Sequence, residues 1–288
     1  MISKSLAPTV KGIFPFFKEP GINNYTIIKW VKLHITYECV MNNQWYNPYV
    51  DIYRALEPFA SGVLAIAIGK PSLYMKYLKF CDSNYTLDLR MGQSTITDYF
   101  ESPTIDSKPF DHIKLEDVEK VARSFIGPQI QALPKARFLR PLGIYYGDYD
   151  QSNDEEIKSW DQFLHINNQM RFVAGDRQHH RKVTCHSIEV IKFNPPDLTL
   201  QLSCDVPFSV RSFAEKFFTE LDTCGSFTRI LRTKEGPFTL DQCIDRTDLY
   251  LKYLMPALRK HTEPFIDHVR PHLDKLPFHD DVRMGKQR

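Results

Sequence analysis

The stretch from Val183 to Cys204 narrows the choice of fold most. Two strand-length runs, Val183–Phe193 and Leu198–Cys204, are separated only by Asn194-Pro195-Pro196-Asp197. So short a turn cannot make the long crossover that parallel strands need, so the pair is predicted to be an antiparallel hairpin. Other strands follow from their period. Tyr85, Leu87, Leu89 and Met91 alternate with Thr86, Asp88 and Arg90, the pattern of a half-buried strand. Gly62–Gly69 is a continuous apolar run of strand length, and Gly12–Phe17 and Phe227–Thr233 are further candidates. Helical spacing predicts helices over Tyr25–Ile35, Ser72–Phe80, Leu115–Phe125 and Ser209–Leu221. A closing helix is expected over Gln242–Arg259, interrupted near Pro256. Hairpins and helices mix without strict βαβ order, so the fold class is α+β.

Composition excludes several classes. The 288 residues carry 37 Lys+Arg against 35 Asp+Glu, a formal charge of +2, so the chain is not a uniformly basic nucleic-acid coat, although a local basic groove is compatible with it. With no run of 18 apolar residues, no membrane-spanning helix is expected. An aromatic content of 13% argues against a disordered chain. The six cysteines form no CxxC pair, so a zinc site of short-spaced ligands is not expected, and their apolar surroundings suit a reducing compartment. Met1–Lys11 is too short and too weakly apolar for a secretory signal; as the remnant of an organellar presequence it lacks arginine. The acidic stretch Asp148–Glu156 reads as a solvated loop that offsets basic segments such as Arg177–Lys192.

Three segments together resemble the TruB family of RNA pseudouridine synthases. Lys18-Glu19-Pro20-Gly21 is similar to the family's Lys-Pro-x-Gly turn with one residue inserted. Leu56-Glu57-Pro58-Phe59-Ala60-Ser61-Gly62-Val63-Leu64 stands against Leu-Asp-Pro-x-Ala-x-Gly-Val-Leu, followed by Tyr85, Met91-Gly92-Gln93 and Thr97-Asp98 at the family's spacing. Phe208-Ser209-Val210-Arg211 sits at a strand-to-helix junction, followed by Leu231-Arg232-Thr233. Within the family, Thr97-Asp98-Tyr99-Phe100 and the run Arg232–Asp241 are similar to the second TruB-type paralogue of animal mitochondria.

The resemblance implies a pseudouridine synthase fold: a mixed, mainly antiparallel sheet flanked by helices around a central RNA-binding cleft. It implies a synthase domain over residues 12–244, an N-terminal extension over 1–11, and a C-terminal helix and charged tail over 245–288. That last segment leaves no room for the RNA-binding PUA domain of bacterial members. No metal and no cofactor are implied. A carboxylate works at the sugar or base, an arginine pairs with it, a tyrosine lines the pocket, and the target uridine is extruded from its stack. By position these are Glu57, Arg211 and Tyr85. Lys18, Arg177, Arg181, Lys182 and Arg232 are the candidate RNA contacts.

Each residue also has a plainer reading: a surface glutamate before a proline turn, an exposed arginine at a helix start, a core-packed tyrosine on an alternating strand. His179-His180-Arg181-Lys182, with Arg177 and His186 nearby, is either a solvated basic loop or an RNA-backbone contact. Neighbours on a strand face opposite ways, so adjacent histidines there cannot share one metal.

The chain departs from the family at the centre of the site. Glu57 stands in the place of the catalytic aspartate and Ile52 in that of a base-flipping histidine. Leu133–Arg137 does not reproduce the Pro-Pro-x-Tyr-Ser-Ala segment that follows the glutamine matched by Gln131. One extra methylene shifts a carboxylate by roughly 1 Å, a displacement able to lower a rate by about 10²-fold. The expectation is therefore an RNA-binding, TruB-type, synthase-like protein of the mitochondrial matrix with catalysis reduced or lost. The alternative is a non-catalytic RNA-binding or assembly factor of the mitochondrial ribosome, with ribosomal RNA and ribosomal proteins as partners.

Overall fold

The computed structural model describes residues 10–132 and 180–275. Its main sheet is built from β1 (Gly12–Lys18), β2 (Val50–Asp51), β3 (Ser61–Ile68), β4 (Asp82–Met91), β7 (Gly127–Ala132), β8 (His180–Asn194), β9 (Asp197–Asp205), β10 (Gly225–Glu235) and β11 (Phe238–Thr239). The order across it is β1-β3-β10-β4-β9-β8-β7, with β2 added to β3 and β11 to β10. Among these, β3 and β10 run parallel and the other pairs are antiparallel. A small ribbon of β5 (Gln93–Thr95) and β6 (Thr104–Ser107) lies apart from it. The helices are α1 (Asn24–Met41), α2 (Leu115–Ser124), α3 (Val210–Glu220) and α4 (Leu251–Val269).

The sequence periods match the number of faces each strand buries. In β3 every residue is buried, because the sheet is covered on both sides there. Leu64, Ile66 and Ile68 pack towards α1 and α4, while Val63, Ala65 and Ala67 pack with Met75, Leu78 and Phe265. A two-sided strand needs no alternation, hence the unbroken apolar run. β4 alternates because one face is turned inward: Tyr85, Leu87, Leu89 and Met91 there meet Leu198, Leu200 and Leu202 of β9 and Phe213 and Phe217 of α3. The β8–β9 hairpin turns at Pro195-Pro196 with Asn194 paired to Asp197, as its loop predicts.

Two helical expectations are corrected. Ser72–Phe80 is part of a 3₁₀ helix, Lys70–Phe80. Buried Met75 and Leu78 stand three apart, the 3₁₀ repeat, whereas the α spacing would turn Lys79 inward. The closing helix begins later than Gln242 and is not interrupted at Pro256; α4 runs through both Pro256 and Pro264. Both prolines lie on the exposed side, where water can satisfy the freed carbonyls, while Leu254, Leu258, Phe265 and Val269 anchor the inner side.

The parallel contact of β3 with β10 depends on Gly62. Its φ is +115°, and a Cβ there would lie 2.1 Å from the Arg232 carbonyl oxygen. That neighbour is sheet backbone and cannot move aside. Gly62→Ala is therefore expected to destabilise the fold by about 3 kcal/mol or more, read as a lower urea midpoint with an unchanged slope.

Candidate active site

Three segments far apart in sequence converge beside the start of β3. The first is the turn Leu56–Ala60, closed by Ala60 N–H donating to the Glu57 carbonyl at 3.1 Å. Around it is a frame from the N-terminal part of the chain. The Asn24 side-chain amide donates to the Leu56 carbonyl at 2.5 Å and accepts from the Leu56 N–H at 3.2 Å. Gly21 N–H donates to the Pro58 carbonyl at 2.8 Å. Lys18 Nζ donates to the carbonyls of Pro58 at 2.7 Å, Ala60 at 2.6 Å and Glu19 at 3.2 Å.

The second segment is the start of α3. Ser209 is its N-cap and accepts from the Ser212 N–H. Ser209 is held from outside the helix by Gln131, whose Oε1 accepts from the Ser209 N–H at 2.8 Å and whose Nε2 donates to the Ser209 carbonyl at 3.4 Å. Two amide side chains, Asn24 and Gln131, thus clamp the two segments that carry the charged groups. Arg211 follows in the first turn of α3, where the helix dipole disfavours a cation. Its position is explained by its partners.

Arg211 donates from Nε to Glu57 Oε1 and from Nη2 to Glu57 Oε2, both at 2.5 Å. Nη1 reaches the Thr97 carbonyl at 3.0 Å and Asp98 Oδ2 at 2.9 Å. The Arg211 side chain is 3% exposed and that of Glu57 12%. Burial works against the guanidinium's charge, but Glu57, and after it Asp98, outweigh burial and hold Arg211 above the usual arginine range. A two-pronged pair of this kind fixes the carboxylate's position and its plane.

Thr97 and Asp98 belong to the third segment, the loop after β5. Asp98 has φ of 63°, a left-handed conformation that aspartate tolerates better than most residues. Next to it, the Tyr99 hydroxyl donates to Glu57 Oε2 at 3.1 Å, and the Tyr99 ring lies 5.5 Å from the Arg211 guanidinium. Phe59, 44% exposed, packs its ring 5.3 Å from that of Tyr99. An apolar ring is therefore open to solvent two residues from the carboxylate, a surface on which a flat base could stack.

The structure brings some of the sequence-predicted residues together and separates others. Glu57 and Arg211 are joined directly, and Tyr85 is buried in the same cluster as Leu56, Tyr99 and Phe208, with the Arg54 guanidinium 6.0 Å from its ring. Arg181 and Lys182 lie on β8, with Arg181 opposite Gln131 and Lys182 exposed opposite Ile130. Arg177 and Leu133–Arg137 lie outside the described residues. Lys18 and Arg232 correct the expectation of RNA contacts. Both are buried, Lys18 on the carbonyls above and Arg232 on the Val63 carbonyl at 2.7 Å and Glu235 at 3.1 Å. Their donors face inward and hold the turn and the sheet. Ile52, in the histidine's place, packs against the core between β1, β3 and α1. Among the described residues, no three His, Cys, Asp or Glu side chains gather as a metal site.

Sequence reasoning assigned no part to Asp98, Tyr99, Phe59, Asn24 or Gln131. Asp98 and Tyr99 lay in a quoted motif, but their contacts depend on a loop folding back against Arg211, and no spacing in the chain encodes that approach.

Lys18 gives the site a pH dependence. Its three donated bonds call for the ammonium form, yet burial, and then Arg232, push its pKa down from the usual lysine range to about 7, with Glu57 opposing. The folded value lies below the unfolded one, so the unfolded chain binds more protons between them and stability rises with pH over that window. The unfolding free energy of the wild type relative to Lys18→Met should climb between pH 7 and pH 10 by up to about 1.4 kcal/mol per pH unit. A pH-independent difference in urea unfolding would show that Lys18 keeps an ordinary pKa.

Comparison with known proteins agrees with this geometry. The sequence model of the TruB family pseudouridylate synthase N-terminal domain matches residues 53–140, a span holding Glu57, Tyr85, Asp98 and Tyr99. Pseudouridylate synthase TRUB1 of Mus musculus is 27% identical over 240 residues, covering 81% of this chain and 65% of its own length. tRNA pseudouridine synthase B of Thermobifida fusca is 26% identical over 212 residues, covering 70% of this chain and 65% of its own length. The chain therefore spans about two thirds of these relatives. Among solved structures, a Cbf5-Nop10-Gar1 complex contains a chain that superposes with a TM-score of 0.57 at 16% identity, over 91% of this chain and 60% of that one. An H/ACA RNP bound to a substrate RNA containing 2'-deoxyuridine gives a TM-score of 0.54 at 16% identity, over 91% and 59%. The fold is that of the pseudouridine synthases, and within it residues 53–140 match the N-terminal domain of the TruB family.

Proposed function

We propose that this chain binds RNA and isomerises uridine to pseudouridine, with Glu57 as the working carboxylate and with turnover slowed by the length of its side chain. One observation carries the reading: residues 154 apart in sequence, Glu57 and Arg211, meet in a nearly buried, two-pronged ion pair. A structural pair on a surface would not need two amide clamps, a second carboxylate and a tyrosine to hold it.

The reaction breaks the bond from the ribose to the base nitrogen, turns the base, and forms a new bond from the ribose to C5, whose hydrogen leaves as a proton while the freed ring nitrogen takes one up. Glu57 either attacks the ribose or removes a proton from it, and Arg211 keeps it charged and aimed. Phe59 supplies a face for the extruded base and Tyr85 a wall beneath it. Arg181 and Lys182 are the described candidates for the RNA backbone, with Arg177 beside them in sequence. The proposed setting is the mitochondrial matrix, with mitochondrial RNA as substrate. That part rests on the likeness of Arg232–Asp241 and Thr97–Phe100 to the second mitochondrial paralogue of animals.

A specific feature favours a second reading. Arg211 engages both oxygens of Glu57, and Ile52 puts an alkyl chain where the family has a flipping histidine. The site would then be kept as a structural pair in a non-catalytic RNA-binding protein, such as an assembly factor of the mitochondrial ribosome. Single-turnover assays with stoichiometric protein and uridine-bearing RNA, read by mass spectrometry, separate the two. Slow product formation is expected from the wild type, rising by about 10²-fold in Glu57→Asp. Activity that appears only in Glu57→Asp or in Glu57→Asp with Ile52→His would establish the second reading.

A further inference from the structure

The outer side of α1 is apolar where a surface helix is ordinarily polar. Its inner residues Ile27, Val31, Ile35 and Cys39 are fully buried, as a core-facing stripe should be. On the other side Tyr25, Lys29, Leu33, Tyr37 and Met41 form one ridge at four-residue spacing, and all are exposed. Leu33 is 64% exposed, Met41 66%, and Trp45, just past the helix, 80%. The ridge holds a single cation, Lys29, whose Nζ sits 4.5 Å from the centre of the Tyr25 ring, and no acid.

Isolated apolar residues on a surface are ordinary, but contiguous patches of this size are covered in a working protein. With ordinary side-chain areas, Tyr25, Leu33, Tyr37, Val40, Met41 and Trp45 together present on the order of 700 Å². A standard stable interface buries about 800 Å² per partner. One copy of this ridge against another comes close to that requirement.

We infer that α1 is the interface of a two-fold homodimer of this chain, packed antiparallel to its copy with the axis beside Leu33. The spacing of the ridge supports this arrangement. A two-fold axis at Leu33 brings each residue opposite the one equally far beyond Leu33 on the copy. Lys29 then faces the partner's Tyr37, a cation over an aromatic ring. Tyr25 faces the partner's Met41, a thioether against an aromatic ring. Each unlike residue of the ridge thus meets a chemically suited counterpart, and the two lysines are kept apart. The inner side of α1 and the Asn24 clamp take no part, so the dimer stands or falls independently of the catalytic reading.

Sedimentation equilibrium of the full chain over the micromolar range, together with engineered cross-links, tests this. The wild type should approach twice the chain mass, and Leu33→Glu should raise the dimer dissociation constant by about tenfold or more, with an unchanged thermal melt. Leu33→Cys should oxidise to a covalent dimer, because it meets its own copy, whereas Tyr25→Cys should not. The six native cysteines are buried or half-buried and add little background. A monomer at every concentration would overturn the proposal, as would a dimer indifferent to Leu33→Glu. Cross-linking through Tyr25→Cys but not Leu33→Cys would overturn the register.

Discussion

A guanidinium that is 3% exposed must be neutralised where it stands, and much of this structure answers that demand. Arg211 sits at the positive end of α3, the least favourable helical position for a cation. Glu57 meets it with both oxygens, Asp98 with one, and the Thr97 carbonyl takes another donor. Removing one partner of such a pair leaves a buried charge, a loss of about 3–5 kcal/mol in comparable cases. The segments bearing these groups are therefore fixed by further buried bonds. Asn24 and Gln131 grip backbone on either side, and Lys18 holds the Leu56–Ala60 turn through its carbonyls.

This arrangement also bears on the glutamate. A longer side chain loses precision only if it is free to choose among rotamers. Here the fork of Arg211 and the hydroxyl of Tyr99 determine where the carboxylate lies, so part of the freedom added by the extra methylene is removed. What remains is displacement of the carboxylate, which on the proposed catalytic reading would slow chemistry without abolishing the charge pattern. The same bonds would also preserve the pair in a protein that had stopped turning over. Geometry gives both readings the same ground state, and they differ only in the transition state.

Much of the architecture was legible in the chain. The alternation from Tyr85 to Met91 and the Asn194–Asp197 turn identified β4 and the β8–β9 hairpin, because a half-buried strand and a short antiparallel connection leave local marks. The apolar run after Gly62 marked β3 for the same reason. Pro256 misled, since a proline on the outer side of α4 can be solvated and the buried side keeps the helix whole. Lys18 and Arg232 misled differently: a charged residue type does not reveal whether carbonyls inside the protein will receive its donors. The resemblance placed Glu57, Tyr85 and Arg211. Asp98 and Tyr99 joined them only through a loop that closes in three dimensions.

The central claim is that the carboxylate held by Arg211 works on uridine. Forming a carbon–carbon bond at C5 releases the hydrogen from that carbon, so RNA labelled with tritium at uridine C5 reports the reaction directly. The account predicts tritium release by the wild type above the protein-free control, lost in Glu57→Gln although that variant still binds the RNA. No release from stoichiometric wild-type protein on the native RNA pool, or equal release by Glu57→Gln, would contradict it.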